Sequence, residues 1–345
     1  MTTDAATHTY ANRGTIAVTG ATGFIGHHVV KQALASGWTV KALVRDYAKA
    51  DKVLPTDPQL HGGRLSLVKG DALDVGVLDQ LVAGVTGVIN CTGIIREARG
   101  GQTFKRMHVG ATDALLNAAE RNNVKRYVQM SAAGVSDEGV NEYQQSKFAA
   151  EKRVRASNLD WTILRPSMVH GPKGDYIRMA AAMAQGKAQP FVVLPYFVRT
   201  RAVDSVPGGA GRWEEPVIAP VFVGDVARCA VESVTNEAAI GEIIHLAGPE
   251  TLYWYEMLTT IRNNVPHANR KMPVIGIPAD IAAIKVEAAK YIGLGSVLPF
   301  DAGMAKMAAE DNAPDTAKAH AIFGGSFADF STTFADYASA IEPAA

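Results

Sequence analysis

From Thr15 onward, short runs of apolar and β-branched residues alternate with longer stretches whose apolar positions recur at helical spacing. The runs are Thr15–Thr19, Thr39–Val44, Leu65–Lys69, Gly87–Asn90, Arg126–Met130 and Trp161–Leu164. Between them the spacing predicts helices near Phe24–Ser36, Val75–Ala83, Gln102–Asn122 and Val140–Ser157. Each run is apolar on both faces, as a central parallel strand is when helices cover both sides of the sheet. Alternating units of this length predict an α/β fold built on a doubly wound parallel sheet.

After Gly171-Pro172 the rhythm changes. The stretch Asp175–Trp213 combines a helical segment, the apolar run Phe191–Leu194 and a glycine-rich turn at 208–212 that lacks the Lys-Ser/Thr of a P-loop. Ile218–Val223 and Glu242–Leu246 read as strands around a helix at Asp225–Val234, and the remainder reads as largely helical with proline breaks. The expected organisation is a nucleotide-binding domain over residues 14–172. A smaller, mostly helical C-terminal substrate-side domain over 173–345 follows, interleaved with the main sheet at 218–248.

The first run leads directly into Thr19-Gly20-Ala21-Thr22-Gly23-Phe24-Ile25-Gly26, which opens the first helix. A dinucleotide pyrophosphate requires a tight turn, a backbone bare enough to approach and free N–H groups at a helix N-terminus. Gly20 suits the turn, Gly23 the approach and Gly26 the packing of helix on strand. Strand before and helix after meet the context that makes this a Rossmann dinucleotide site. Arg45 ends the second run, where such domains read the adenosine ribose. A guanidinium there pairs with a 2′-phosphate, which favours NADP(H) over NAD(H), although the adjacent Asp46 keeps NAD open. Asp71 and Ala72 close the third run, with Asp71 set to accept a hydrogen bond from adenine. Cys91, Thr92 and Gly93 follow the fourth run at the carboxyl edge, where open α/β sheets bind ligands.

Tyr143 and Lys147 stand four residues apart on one face of a predicted helix. A phenol with a pKa of about 10 is a poor proton-transfer group at neutral pH until a cation stabilises its phenolate. Lys147 is that cation, and it is also placed to hold the nicotinamide ribose. Ser131, at the end of the fifth run, is placed to align a substrate carbonyl.

TGATGFIG, YQQSK and LRPS together resemble the extended or atypical short-chain dehydrogenase/reductase superfamily. Within it, the chain is most similar to bacterial relatives of the nucleotide-binding accessory subunit of respiratory complex I. VINCTGIIRE, MHVGATDALLNAAERNNVKRYVQMSAAG, YQQSKFAAEKRVRASNLDWTILRPSMVHGP and PVFVGDVARCAVES carry that likeness from Gly14 to about Pro249. AAEDN, near Asp311, is a weaker echo. The resemblance implies NAD(P)(H) on a Rossmann core, Tyr143 and Lys147 at the active-site pair, Ser131 at the Ser/Thr position, and Pro166 and Ser167 at the nicotinamide end. It departs at His108, where extended members commonly carry Asn. The reading is an NAD(P)H-dependent oxidoreductase acting on a carbonyl, hydroxyl or quinone-like small molecule. The alternatives are a non-catalytic NADPH-binding assembly subunit and a nucleotide-sugar epimerase or dehydratase.

Composition narrows the field. Lys plus Arg equals Asp plus Glu at 34 each, so no charge excess points to nucleic acid. Two cysteines, Cys91 and Cys229, without ligand spacing imply neither a disulfide scaffold nor a metal site. The polar Met1–Gly14 reads as a tail with no secretion signal, and the longest apolar stretches fall short of a bilayer-spanning helix. A cytoplasmic protein is expected, with a protein or membrane-surface partner left open. His27 and His28 read as a helical pair and not metal ligands, His170 as lining either a loop or the substrate site, and Arg96 and Glu97 as substrate contacts or a surface pair. Ile281–Ile292 reads as an amphipathic helix packed over the pocket.

Overall fold

The computed structural model describes residues 13–98, 100–201, 212–291 and 300–341. The turn residues 208–211 and the N-terminal residues 1–12 lie outside them. Chain order begins β1 (Thr15–Thr19), α1 (Phe24–Ala35), β2 (Thr39–Val44), α2 (Tyr47–Val53), β3 (Leu65–Lys69), α3 (Val75–Val82) and β4 (Gly87–Asn90). A π-helical segment, Lys105–Gly110, then runs into α4 (Ala111–Arg121), followed by β5 (Arg126–Met130), α5 (Glu142–Ala156) and β6 (Asp160–Pro166).

Beyond these come β7 (Val169–His170), α6 (Asp175–Ala184), β8 (Leu194–Arg201), β9 (Arg212–Glu214), β10 (Val217–Ile218), β11 (Val221–Phe222), α7 (Val223–Glu232), β12 (Glu242–Leu246) and β13 (Leu252–Tyr253). The chain continues through α8 (Trp254–Asn264), β14 (Val274–Pro278), α9 (Ala279–Tyr291), α10 (Ala302–Ala308), α11 (Ala317–Phe323) and α12 (Phe330–Tyr337).

The main sheet has seven strands in the order β12-β6-β5-β4-β1-β2-β3, all parallel. Side chains alternate across it as a pleat requires. Ile16 and Val18 enter a core shared with Val29 and Val30 of α1 and Val226 and Ala230 of α7. Ala17 and Val88 face the opposite core with Leu78 and Leu81 of α3 and Leu115 of α4. Both faces are therefore dry, and the strands need no polar alternation. Chain order reverses between β1 and β4, which opens a crevice at their carboxyl ends.

Glu242–Leu246 joins this sheet against β6. The stretch expected as one strand at 218–223 instead divides into β10 and β11, because Pro220 between them has no N–H to donate. The later residues also form a sheet of their own, β14-β8-β9, in addition to the helices anticipated there. Their core gathers Ile177 of α6, Met257 and Ile261 of α8, and Phe330 and Phe334 of α12.

Candidate functional site

The glycine loop shows why its glycines are needed. Gly20 has φ of 63°, and a Cβ there would stand 2.4 Å from the Cys91 carbonyl oxygen. A Cβ on Gly26 would stand 2.1 Å from the Gly20 carbonyl oxygen, so α1 can cross β1 this closely only without a side chain. Gly23 is the N-cap of α1 and no side chain caps that helix, which leaves its first-turn N–H groups facing the crevice.

Two contiguous cavities flank this loop. One, of 190 Å³, is lined by Gly20, Thr22, Gly23, Arg45, Asp71, Ala72, Cys91, Thr92 and Gly93, together with Lys49. The other, of 540 Å³, is lined by Gly23, Phe24, Ile25, Gly26, Cys91, Gly93, Ser131, Tyr143, Lys147, Pro166 and Ser167. Every residue expected at the cofactor or the proton-transfer site thus falls on one cavity or the other. Gly23, Cys91, Gly93 and Ile94 line both, so a single extended ligand can run between them. A bare backbone at a helix N-terminus between two connected cavities fits a dinucleotide: pyrophosphate over Gly23, a nucleoside on either side.

At the smaller cavity, Arg45 and Lys49 are both exposed. The Asp46 carboxylate accepts the Ala48 N–H at 2.8 Å and caps α2, and Asp71 accepts the Leu73 N–H at 3.0 Å. Lys49 was not foreseen. Its spacing of four from Arg45 was visible, but the start of α2, which brings it round to the same cavity, was not.

At the larger cavity, Lys147 donates to the Met130 carbonyl at 3.0 Å, and its Nζ lies 5.8 Å from the Tyr143 ring centre. Burial lowers the Lys147 pKa to about 8 and raises that of Tyr143 to about 12, so at neutral pH the pair is ammonium and neutral phenol. Phe104 and His108 pack edge-on against Tyr143, at 6.0 and 5.5 Å between ring centres.

Ser131 differs from its expected posture. Its hydroxyl donates to the Glu151 carboxylate at 2.5 Å, so its lone pairs and not its proton are offered to a ligand. Glu151 is fully buried and receives Arg165 through Nε at 2.8 Å and a second guanidinium nitrogen at 2.6 Å. Glu151 lies one turn beyond Lys147, a spacing legible in sequence whose consequence was missed.

His108 is buried and engaged on both nitrogens. Nδ1 lies 2.8 Å from Ser146 Oγ, and Nε2 lies 3.0 Å from the Ile94 carbonyl and 3.2 Å from the Ile94 nitrogen. Burial, reinforced by Lys147, lowers its pKa to about 3, so it stays neutral. It ties the loop after β4 to α5, and the π-helical turn carries it inward. Beneath, buried Asn90 accepts from Thr19 at 2.7 Å and donates towards Gln129 at 3.0 Å and Tyr127 at 3.1 Å. That network holds the ends of β1, β4 and β5 in register.

The remaining residues sort plainly. His170 is fully buried, with Nδ1 3.1 Å from the Tyr337 hydroxyl and its ring against Phe330, which places it in the C-terminal core. His27 is buried with Nδ1 2.9 Å from the Gly23 carbonyl, and His28 packs against it at 4.1 Å between ring centres. Arg96 lines the larger cavity, whereas Glu97 accepts the Phe104 N–H at 2.7 Å. Among the described residues no helix is long and apolar enough to cross a membrane.

The fold and the two-part crevice define an NAD(P)H-binding Rossmann protein. Residues 20–190 match the protein family described as NAD(P)H-binding. Ceramide reductase of Caulobacter vibrioides is 29% identical over 219 residues, which are 63% of this chain and 66% of that protein. NADH dehydrogenase (ubiquinone) 1 alpha subcomplex subunit 9 of Arabidopsis thaliana is 27% identical over 241 residues, 70% of this chain and 55% of that one. The chain therefore matches just under two thirds and about half of these relatives' lengths. Among solved structures, Bordetella bronchiseptica WbmH in complex with NAD+ superposes with a TM-score of 0.65 at 20% identity, covering 95% of this chain and 97% of that one. Escherichia coli NADPH-dependent quinone oxidoreductase QOR2 with NADPH gives 0.64 at 18%, covering 93% and 99%. At such identities the structural likeness speaks for the fold. The homologues are of the extended short-chain dehydrogenase/reductase type.

Proposed function

We propose that this protein is an NADPH-dependent oxidoreductase that reduces a carbonyl or quinone-like small molecule. The observation that carries the reading is the grouping of Tyr143, Lys147 and Ser131 on the cavity contiguous with the glycine loop. A nicotinamide held beside Tyr143 and Lys147 would supply the hydride that the substrate carbon takes up. Tyr143, protonated at neutral pH, donates its proton to the substrate oxygen as negative charge develops there. Lys147, fixed by the Met130 carbonyl and cationic below about pH 8, stabilises the phenolate left behind. Ser131, its own proton held by Glu151, accepts from the newly formed alcohol or from a neighbouring substrate hydroxyl. Carbonyl, hydride and the tyrosyl proton together make the alcohol, and solvent restores the phenol.

NADPH over NADH is supported by Arg45 and Lys49 on the adenosine-side cavity, and by the commitment of Asp46 to its helix cap. The test follows near-ultraviolet absorbance of NADPH with a panel of carbonyls and quinones, in the native protein and in Tyr143→Phe. Substrate-dependent oxidation should fall at least ~100-fold in the variant. An unchanged rate would remove Tyr143 from the chemistry.

A second reading, a protein that binds NADPH without turning it over as part of a larger assembly, is favoured by His108. This neutral side chain, engaged on both ring nitrogens, holds the loop after β4 to α5. The similarity to a complex I subunit points the same way. Tightly retained NADPH with no oxidation by any substrate would establish that reading instead.

A further inference from the structure

Beside Tyr143 the larger cavity opens into a groove of 660 Å³ between the loop after β4, the start of α5 and residues 300–307. The two spaces share Ile95, Arg96 and Tyr143. We propose that this groove receives a long hydrocarbon chain, so that the substrate class is a lipid-like ketone or alcohol and not a sugar nucleotide. The proposal rests on the reductase reading only for the position of the reacting carbon.

The lining makes the case. Ile95, Phe104, Val140, Phe300, Met304 and Met307 supply apolar surface along the groove. Phe104 stands edge-on to Tyr143, so the apolar path begins at the reacting end. Ile95 is 55% and Val140 41% exposed, large apolar side chains that gain by being covered. The two methionines are flexible and suit a chain without fixed shape.

Charge argues against a nucleotide diphosphate. Among the described residues, the groove carries Arg96 and Lys306 against Glu97, Glu142 and Asp301, two cations to three carboxylates. A pyrophosphate would meet net repulsion there. The Arg96 guanidinium lies 3.6 Å from the Met304 sulfur, turned along the apolar wall. The start of α10 is already capped by Asp301, which accepts the Met304 N–H at 2.8 Å, so it presents no anion site. The groove is also braced: Asn141 donates to the Gly303 carbonyl at 2.9 Å and Gln144 to Glu310 at 2.8 Å.

The test titrates 2-hexanone, 2-octanone, 2-decanone and 2-dodecanone into the NADPH-loaded full chain by calorimetry, with UDP-glucose as comparator and NADPH oxidation followed in parallel. Kd should fall about tenfold or more from 2-hexanone to 2-dodecanone, as stepwise burial of methylenes requires. Val140→Asp, at a position already exposed, and Met307→Gln should each flatten that gain. Chain-length-dependent binding without oxidation upholds the groove assignment while removing the reductase reading. Oxidation with kcat/KM independent of chain length upholds the reductase and overturns the groove assignment. Equal affinity across the ketones, no binding of any of them, or tighter binding of UDP-glucose than of 2-dodecanone also overturns it.

Discussion

Arg45 and Lys49 illustrate how much a single neighbour decides. An Arg ending β2 and followed by Asp46 is ambiguous, since one side chain suits a 2′-phosphate and the other a 2′-hydroxyl. In the structure the Asp46 carboxylate holds the first turn of α2 through the Ala48 N–H, while Lys49 joins Arg45 on the cavity wall. Both cations are exposed, so solvent screens each contribution and about 1.4 kcal/mol for the pair is a fair scale. Arg45→Ala with Lys49→Ala should therefore raise the Kd for NADPH roughly tenfold and leave that for NADH nearly unchanged, measured by fluorescence titration. A parallel loss for both cofactors would assign the cations to the shared part of the dinucleotide. Ser131 carries a similar lesson. Its position was legible, but the direction of its proton depends on Glu151, twenty residues away in sequence.

At the scale of elements, α5 matters most because one helix presents Tyr143 and Lys147 to the cavity and Glu151 to the sheet. Glu151 receives Arg165 of β6 in a two-bonded pair and Ser131 just beyond β5, so three elements converge on one buried carboxylate. Its removal would leave the Arg165 guanidinium, only 14% exposed, without its counter-charge. Breaking a buried pair from one side typically costs about 3–5 kcal/mol. Glu151→Ala should lower stability by roughly that amount in urea unfolding, without a change in the slope of the transition. A loss below about 1 kcal/mol would show that α5 is held by its apolar face alone. The π-helical turn before α4 is the corresponding device on the other side of the cavity: it brings His108 inward to join the Ile94 loop to Ser146.

Across the whole molecule, the short segment Glu310–Asn312 connects parts that are far apart in the chain. Glu310 accepts from Gln144 of α5, and Asp311 accepts the Val217 N–H at 2.9 Å and Arg199 of β8 at 2.9 Å. Asn312 exchanges backbone bonds with Val217 and Ala219. Asp311→Ala should cost about 1–2 kcal/mol, mostly from the orphaned Val217 N–H because the ion pair is half-exposed, and thermal unfolding would register it. An unshifted transition would mean that the backbone bonds of Asn312 suffice. The sheet, the glycine turn and the residues lining its cavities were readable in order along the chain, since periodicity and turn chemistry are local properties. Local rules also made β1 to β6, α1, α3 and α5 recoverable to within a residue or two, whereas α2 was missed and the helix expected from Gln102 begins later, as a π-helical turn at Lys105. They did not reveal that β8, β9 and β14 would form a sheet of their own, or that residues 300–307 would wall a groove against Tyr143. Those arrangements depend on pairings distant in the chain, such as Val274 with Leu194 and Asn141 with Gly303, where no sequence period survives. The sequence by itself determined the class of fold and which residues line the two cavities beside the glycine loop. Only tertiary packing decided that the Ser131 proton turns to Glu151, which charges share a cavity and which residues of the second half wall the groove beside Tyr143.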